Sequence, residues 1–453
     1  MWVHTFWLLA STVMGVAWSP DDLSTLQNST SLIVTGLLDY YPVASSEDSV
    51  RLGATPGVFQ QPYYWWEAGV AWGVMVDWQY YTEQYGKNDM IKEAMEYQMG
   101  TNGNYMPANQ SMTEGNDDQG FWALAVMTAA ERNFTNPSGN HGWLYSAQAV
   151  FNEMVQRWET TTCGGGLRWQ IYTWNSGYNY KNVVSNGCFF NLAARLARYT
   201  GNSSYADWAD KIFDWMTTNT LLFEDGDDWK LYDGATMESN CSTKTEIEWS
   251  YNYGLVISGS AYLYDFYNSS STWLTRVTDV WNRASTQFFQ NSIAYESACQ
   301  PSGKCNNDQR CFKGIFLQLL GQAARLVPAL ESDIMTAINA TAAAAAGSCS
   351  GGYDGHTCGL NWLDSSYDNM YGLGEQISAL SAMSVTQVLS KNKPYTANNG
   401  GSSNGSVDAG VNTGSSSLLS DDTPISGKDK AGAGVITAVL MLFLIGVGVW
   451  ILI

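Results

Sequence analysis

Two adjacent aspartates, Asp117 and Asp118, are the residues whose type and spacing best suit chemistry in this sequence. Glycosidic cleavage with retention of configuration uses two carboxyl groups roughly 5–5.5 Å apart, one as nucleophile and one as general acid and base. Neighbours at the start of a helix can reach that separation. Two like charges so close oppose double ionisation, which raises one pKa and supplies the acid, while a helix N-terminus favours the other as an anion.

An aspartate pair at a helix start also has an ordinary structural role, because such side chains cap the N–H groups of the first turn. Three features favour chemistry here. The pair opens a helix of a repeat, the aromatic residues Phe121 and Trp122 adjoin it, and the chain carries secretion signals. An inverting hydrolase, with carboxyl groups roughly 6.5–9.5 Å apart, is a further alternative.

The sequence offers few residues for other kinds of catalysis or binding. Removal of a signal peptide would leave only His141 and His356, too few for histidine-based triads or metal sites. The eight cysteines lie between Cys163 and Cys358, and we expect them to form disulfides whose pairing the sequence does not give. We predict no metal and no cofactor, and the net charge of −20 argues against nucleic-acid binding.

Recurring helices must position the aspartate pair. One unit runs from Cys188 to Tyr199, turns at Thr200 to Asn202 and continues as an amphipathic helix. First helices rich in small residues begin near positions 65, 119, 186, 252, 314 and 374, at intervals of 54 to 67 residues. Such a period predicts a repeat architecture of helical hairpins.

Six helical hairpins can close into a ring. An early helix between Asp21 and Tyr40 can pair with the last of the first-type helices, which brings the expected number to twelve. We therefore predict an all-α fold, an (α/α)6 barrel with the small-residue helices inside, and keep an open α-solenoid as the alternative. In the closed form the loops before the inner helices share one end, so their residues converge on its mouth.

The two ends of the chain carry targeting signals. Residues 1–17 predict a signal peptide. Residues 435–453 form an apolar tail behind small residues near Ser426, the pattern of GPI attachment, with a tail anchor as the alternative. Residues 396–434 are rich in Gly and Ser and predict a disordered stalk that includes the attachment region, which leaves 18–395 as the candidate catalytic domain.

N-glycosylation triplets support passage through the secretory pathway to the outer leaflet of the plasma membrane, by a GPI anchor, or to the cell wall. They begin at Asn28, Asn109, Asn133, Asn202, Asn240, Asn268, Asn339 and Asn404.

An ordered set of segments resembles glycoside hydrolase family 76, and in particular the fungal GPI-anchored mannan endo-1,6-α-mannosidases of the cell wall. The segments are WWEAGVAWG, NDDQGFW, YNYKNVVSNGCFFNLAARLARYTGN, LYDGA, EWSYNYG, FKGIFL and GLGEQ, spread over residues 19–395. The resemblance implies an (α/α)6 fold and a retaining enzyme acting on α-1,6-linked mannose, with Asp117 as nucleophile and Asp118 as general acid and base. It also implies transfer from wall mannan or the mannose core of a GPI glycan to wall β-glucan, and leaves open whether water or glucan is the acceptor.

Aromatic and polar side chains near the predicted mouth are candidates for binding sugar, because flat rings with polar edges suit pyranose faces. Capping or packing is the alternative for each. The candidates are Trp66, Trp122, Tyr180, Asn182, Asn186, Asp233, Asn252 and Tyr253. Glu67, Lys313 and Glu375 recur at inner-helix starts as rim residues or caps. A non-catalytic lectin or adhesin of the wall is the functional alternative, since it would need the aromatic rings but not two close carboxylates.

Overall fold

The computed structural model describes residues 15–44, 54–139, 141–226 and 228–411. These parts of the chain are mostly helical, with twelve α-helices and a few short strands, which confirms the all-α prediction. No helix among them is long and apolar enough to cross a membrane. Most of the predicted signal peptide, the proposed attachment residue Ser426 and the apolar tail 435–453 lie outside the described residues.

Six helices are buried on nearly every side and form an inner ring. They are α2 (Trp65–Thr82), α4 (Asn116–Glu131), α6 (Val183–Thr200), α8 (Ser250–Phe266), α10 (Phe312–Leu326) and α12 (Leu373–Ser384). Each packs against the next along the chain, and α12 packs back against α2. The ring is therefore closed.

Six amphipathic helices surround the inner ring. They are α1 (Leu23–Leu38), α3 (Asn88–Tyr97), α5 (Trp143–Gln156), α7 (Ser203–Thr218), α9 (Ser271–Gln287) and α11 (Pro328–Ser348). In α9 the buried side chains Trp273, Val277, Val280, Trp281 and Ala284 form one stripe at helical spacing. The early helix α1 packs against α12, as the sequence predicted.

Glycines in the inner helices allow neighbouring backbones to approach closely. A Cβ placed on Gly314 would lie 2.6 Å from the Cα of Ser378 in α12, and one on Gly73 would lie 3.2 Å from the Cα of Ala125 in α4. The small residues that marked the inner helices in the sequence are thus the residues that let the ring close.

Short strands and 3-10 helices shape the loops. The strands are β1 (Tyr180–Asn182), β2 (Leu222–Asp225), β3 (Asp228–Leu231), β4 (Gly234–Thr236), β5 (Lys244–Thr245), β6 (Phe289–Gln290) and β7 (Ile293–Ala294). All pair antiparallel, in the orders β1-β4-β5, β2-β3 and β6-β7. The 3-10 helices are Pro42–Ala44, Met237–Ser239, Gln300–Ser302, Asp308–Cys311 and Val385–Ser390. The β1-β4-β5 sheet stands directly before α6 and α8, and it fixes the loops that approach the mouth.

The cysteines correct one expectation, because only six of the eight form disulfides. The pairs are Cys163–Cys241, Cys299–Cys305 and Cys349–Cys358. Cys188 and Cys311 are unpaired and fully buried. Cys188 lies in α6 against Gly120 of α4, so it serves as a small apolar side chain between inner helices.

The first part of the predicted stalk is also corrected. Residues 396–410 are not a free linker but run along the outer surface of the domain. The Ala397 N–H donates to the Tyr199 carbonyl (2.9 Å), the Gly142 N–H donates to the Asn404 carbonyl (3.0 Å), and Asn152 Nδ2 donates to the Ala409 carbonyl (2.8 Å). Small side chains let this segment lie close to α5, so its polar backbone finds partners without an apolar core of its own.

Candidate active site

A cavity of about 520 Å³ opens where the inner helices begin. Its walls come from the first turns, or the loops just before them, of α2, α4, α6, α8 and α10. The second residues of four successive inner helices, Trp66, Asp117, Val184 and Tyr251, all line it. A volume of this size suits a small ligand or a few rings of a longer one.

Four aromatic rings form one wall of the cavity. Trp66 packs against Phe121 with ring centroids 4.8 Å apart, and Tyr251 stacks on Phe312 at 3.9 Å. Phe121 and Tyr251 connect the two pairs at 6.2 Å. All four rings are buried by their neighbours and contribute to the cavity lining, so this wall offers a ligand an apolar surface.

The aspartate pair lies in the first turn of α4. The Gly115 N–H donates to Asp118 Oδ2 (2.6 Å), so Asp118 does cap the helix, while the Asp118 N–H donates to Asp117 Oδ1 (3.1 Å). A Cβ placed on Gly115 would lie 2.3 Å from Asp117 Oδ1 and 3.2 Å from Asp118 Oδ2. Both carboxylates therefore crowd the same backbone position, and a side chain at position 115 would displace the Asp117 carboxylate.

A tryptophan from a distant loop holds Asp117. Trp169 Nε1 donates to Asp117 Oδ2 (2.8 Å). The neighbouring Asn116 fixes that loop, because its N–H donates to the Trp169 carbonyl (2.8 Å) and its Nδ2 donates to the Arg168 carbonyl (2.9 Å). Asp117 thus accepts hydrogen bonds at both oxygens, and these favour its anionic form.

Burial governs the protonation of the pair. Loss of solvent raises the pKa of Asp117 well above its ordinary value, and the negative charge of Asp118 raises it further, while the donors just named oppose both effects. Burial also raises the pKa of Asp118 to about 7, against the Gly115 N–H and with help from the charge of Asp308. The pair therefore binds a proton near neutral pH, which gives one carboxylic acid beside one carboxylate.

Two further carboxyl groups line the cavity. Trp66 Nε1 donates to Asp308 Oδ1 (3.2 Å), and the Tyr180 hydroxyl donates to Asp233 Oδ2 (2.7 Å). Burial raises the pKa of both aspartates. None of the four cavity carboxylates has a Lys or Arg partner among the described ion pairs, and no cluster of metal-ligating side chains occurs in this part of the chain.

The model of glycosyl hydrolase family 76 matches residues 25–398. The chain belongs to glycosyl hydrolase family 76. The resemblance read from its motifs is thereby confirmed. Relatives that are mannan endo-1,6-alpha-mannosidases also confirm the prediction of a mannan endo-1,6-α-mannosidase-like glycosidase.

Two yeast relatives of this family 76 chain span nearly its whole length. Mannan endo-1,6-alpha-mannosidase DCW1 of Saccharomyces cerevisiae is 52% identical, over 95% of this chain and 94% of that protein. Mannan endo-1,6-alpha-mannosidase DFG5 of the same species is 47% identical, over 94% of this chain and 92% of that protein.

Solved structures show the same fold. Dfg5 from Chaetomium thermophilum, in complex with glucosamine, superposes with a TM-score of 0.82 at 34% identity, over 87% of this chain and 98% of that one. An inactive variant of the α-1,6-mannanase GH76A from Salegentibacter, in complex with α-1,6-mannotetrose, gives a TM-score of 0.63 at 17% identity, over 80% and 99%. The second similarity concerns the fold alone.

The cavity contains six of the ten residues predicted from the sequence as catalytic or substrate-binding. They are Asp117, Asp118, Trp66, Tyr180, Asn182 and Asp233. Asn182 also caps α6, since its Oδ1 accepts from the Ser185 N–H (3.3 Å).

The other four residues predicted to bind substrate lie outside the cavity, where they have structural roles instead. Trp122 is fully buried and stacks on Tyr105. Asn186 exchanges hydrogen bonds with the backbone of Leu167 and so holds the loop that carries Trp169. Asn252 is fully buried in α8, and the Tyr253 hydroxyl bonds Glu248 and accepts from the Leu231 N–H.

The three polar residues at inner-helix starts are also structural. Glu67 caps α2, because its Oε2 accepts from the Tyr64 N–H (2.7 Å). Lys313 donates to the carbonyl of Leu360, and Glu375 pairs with Arg310 at 3.2 Å. All three are almost fully buried and none lines the cavity, so of the two readings the structure favours caps and internal contacts over a solvent rim.

Sequence reasoning did not find three prominent cavity residues. Trp169 lies in a loop with no helical signal, Asp308 lies in a short 3-10 helix between cysteines, and Phe312 is the first residue of α10. The one local signal for Trp169 was the density of aromatic residues between positions 169 and 180.

The glycosylation triplets all lie within the described residues, and their occupancy stays a prediction. The exposed asparagines are Asn28, Asn109, Asn240, Asn268 and Asn404, and the half-buried ones are Asn133, Asn202 and Asn339. Asn133 is already engaged, since its Nδ2 donates to the Gly400 carbonyl (2.8 Å) and its Oδ1 accepts from the Ser402 N–H (2.9 Å).

Proposed function

We propose that this chain is a retaining glycosidase or transglycosylase of α-1,6-linked mannose, with Asp117 as nucleophile and Asp118 as general acid and base. The observation that carries the proposal is the asymmetry of the pair. Asp117 accepts two N–H donors, one of them an indole, whereas Asp118 accepts one. Burial raises the pKa of both carboxyl groups, that of Asp117 the more, so the hydrogen-bond donors and not the pKa values carry this division. The carboxylate with more donors is the better anion, and its partner is left to carry the shared proton as the acid.

The reaction proceeds in two balanced steps. Asp117 attacks the anomeric carbon of a mannosyl unit as Asp118 donates its proton to the departing glycosidic oxygen, so a glycosyl ester forms and the leaving sugar departs neutral. Asp118, now ionised, takes a proton from the incoming hydroxyl as that oxygen displaces Asp117. The closeness of the two carboxylates around Gly115 supports this retaining geometry over the wider spacing of inverting enzymes.

The closed ring supports a finer assignment of the fold as an (α/α)6 barrel. Six inner helices pack in cyclic order, and each has an outer helix packed against it. An open solenoid would leave α12 and α2 apart, whereas they are in contact.

The names of the relatives support the substrate class. DCW1 and DFG5 are mannan endo-1,6-alpha-mannosidases, so the donor would be wall mannan or the α-1,6-mannose core of a GPI glycan. The acceptor is water or a wall β-glucan, and in the second case the enzyme links GPI proteins to the wall. We place it in the secretory route, at the plasma-membrane outer leaflet by a GPI anchor attached near Ser426, or in the wall.

Product analysis tests this function. The purified protein is incubated with an α-1,6-mannooligosaccharide, with and without a β-glucan oligosaccharide, and the products are weighed by mass spectrometry. Shortened mannosides indicate hydrolysis, and a mannosyl-glucan adduct indicates transfer. Binding without any new product would contradict the proposal and favour the lectin or adhesin instead.

A further inference from the structure

An exposed indole lies beside the mouth of the cavity but outside it. Trp174 is 62% exposed, among the most exposed large apolar side chains described, and its ring stacks on that of Tyr172 with centroids 4.7 Å apart and an angle of 18°. Met112 next to it is also 62% exposed. Trp174 and Met112 together form an exposed apolar surface on which a ligand can pack.

Hydrogen bonds hold the indole in place. Trp174 Nε1 and Asn175 Nδ2 both donate to the Met112 carbonyl (3.3 Å each). Asn175 Nδ2 also donates to Gln170 Oε1 (3.2 Å). The ring is therefore presented as a fixed surface, and little side-chain entropy would be lost when a ligand packs on it.

The exposed surface is continuous with the catalytic cavity. Thr113 follows Met112 in the chain and lines the cavity, and Gln170, which accepts from Asn175, lines it as well. A backbone bridge joins Gly115 to Gln170, and Trp169 beside it donates to Asp117. Trp169, which donates a hydrogen bond to the proposed nucleophile, and the exposed Trp174 thus lie in the same loop.

The chemical character of this surface is that of a carbohydrate site. Segments 106–113 and 169–180 contain no charged residue in a chain of net charge −20, and they are rich in aromatic, amide and hydroxyl side chains. Rings pack on the apolar faces of sugars while amides bond hydroxyl groups. A neutral glycan fits this composition better than an anionic lipid surface, which would call for lysine and arginine.

We propose that Trp174 and Tyr172 form a remote glycan platform, which binds the part of an α-1,6-mannoside chain that extends beyond the two catalytic carboxylates. The proposal rests on the proposed function and deepens it, because it makes the enzyme prefer long chains over short ones. The platform contacts no reacting atom, so its loss affects binding of long substrates and leaves the chemical step intact.

Substrate length tests the platform. We measure kcat/KM on α-1,6-mannotriose and on a long α-1,6-mannan for the native protein, Trp174→Ala, Trp174→Phe and a control, Tyr85→Ala. Tyr85 is a comparably exposed ring, at 60%, and lies beyond the opposite end of α2. Trp174→Ala should lose about tenfold on mannan and less than twofold on the trisaccharide, Trp174→Phe should lose less, and Tyr85→Ala should match the native protein on both.

The remaining outcomes separate the alternatives. Native protein that cleaves both substrates equally well, or Trp174→Ala that keeps the length preference, overturns the platform alone. Native protein that cleaves neither overturns the proposed function and the platform with it. If the mannan-specific loss vanishes in an Asn109→Gln background, the ring packs against the N-glycan of this chain, and if Trp174→Ala instead loses binding to phosphatidylcholine vesicles alone, the surface contacts lipid. Either result contradicts the proposal.

Discussion

The two ends of the inner helices place buried charges in opposite ways. Near the helix C-termini, Arg195 pairs with Glu131 at 2.7 Å and Arg132 with Asp77 at 2.8 Å, and all four side chains are at most 4% exposed. At the N-termini, the four carboxylates that line the cavity have no cation partner among the described ion pairs. The C-terminal end pairs its buried charges, whereas the cavity collects carboxylates alone.

We expect the C-terminal ion pairs to stabilise the fold and the cavity carboxylates at the N-termini to take part in catalysis. A buried pair of opposite charges is costly to break, because the remaining charge is left without compensation. Neighbouring carboxylates without a cation raise each other's pKa, so one of them keeps a proton that it can donate. We expect substitutions at the two ends to affect different measurements.

The largest effect is expected from Asp117→Asn and Asp118→Asn. Each should lower kcat on an α-1,6-mannoside at least about 10³-fold, because the proposed nucleophile or the proposed proton donor is lost. Asp118→Asn should keep Tm, because an asparagine oxygen can still accept from the Gly115 N–H. Asp117→Asn should lower Tm slightly, because its amide can accept from only one of the two N–H donors. Enzyme assays and thermal unfolding check these statements, with Asp207→Asn on the exposed face of α7 as the control. Full activity in both variants would contradict the assignment.

At the opposite end, Glu131→Gln should destabilise the fold by about 3–5 kcal/mol, because it leaves the Arg195 guanidinium buried without its carboxylate. The protein that remains folded should keep its kcat. Denaturant unfolding measures the loss. The surface pair Lys92–Glu96, 3.7 Å apart and partly exposed, provides the control, and Lys92→Met should cost less than about 1 kcal/mol. Equal losses of unfolding free energy in the two variants would contradict the stabilising role of the buried pair.

A smaller effect is expected when Trp169 is changed to Phe. The variant keeps the ring and removes the Nε1 donor to Asp117, which raises the pKa of Asp117 further. A smaller fraction of Asp117, the proposed nucleophile, is then ionised. The acidic limb of the kcat/KM profile should therefore move to higher pH by about one unit, with about tenfold lower activity below it. Trp158→Phe is the control, because that indole nitrogen has no hydrogen-bond partner. An unmoved acidic limb would show that the indole does not stabilise the anion.

The smallest effect concerns pH and stability near the mouth. Burial raises the pKa of Glu67 to about 8 from an ordinary 4.5. A raised folded-state pKa gives stability that is fully present below the unfolded value and is lost as pH rises through the folded one. The Tm of the native protein should therefore fall between pH 5 and pH 8, and Glu67→Gln should reduce that fall. Glu238→Gln, at an exposed position, is the control, and an identical fall in all three proteins would contradict the account.

The aspartate pair and the repeat could be predicted because both are local patterns. The motif NDDQGFW marks a helix start, and small residues at regular intervals mark helices that pack closely. The predicted starts near 119, 186 and 252 fall two or three residues after the observed starts at 116, 183 and 250. Since each residue turns a helix by about 100°, that error placed the buried Asn186 and Asn252 among the candidates and left out the cavity residue Val184.

Long-range contacts account for what sequence could not supply. Trp169 and Asp117 are 52 residues apart in the sequence, and the local pattern of neither segment predicts their hydrogen bond. The packing of segment 396–410 against the domain was not predicted for a related reason. Its Gly- and Ser-rich composition indicates only that the segment cannot form a hydrophobic core of its own. It is held on the domain by hydrogen bonds between its backbone and Tyr199, Gly142 and Asn152.

Covalent trapping identifies the nucleophilic carboxylate directly. A 2-deoxy-2-fluoro mannosyl donor with a good leaving group forms the glycosyl ester but turns it over slowly, so the labelled peptide can be mapped by mass spectrometry. The division of roles between the two aspartates predicts one mannosyl label on Asp117, and none in Asp117→Asn. A label on Asp118, or no label from an enzyme whose natural product has inverted configuration, would contradict it.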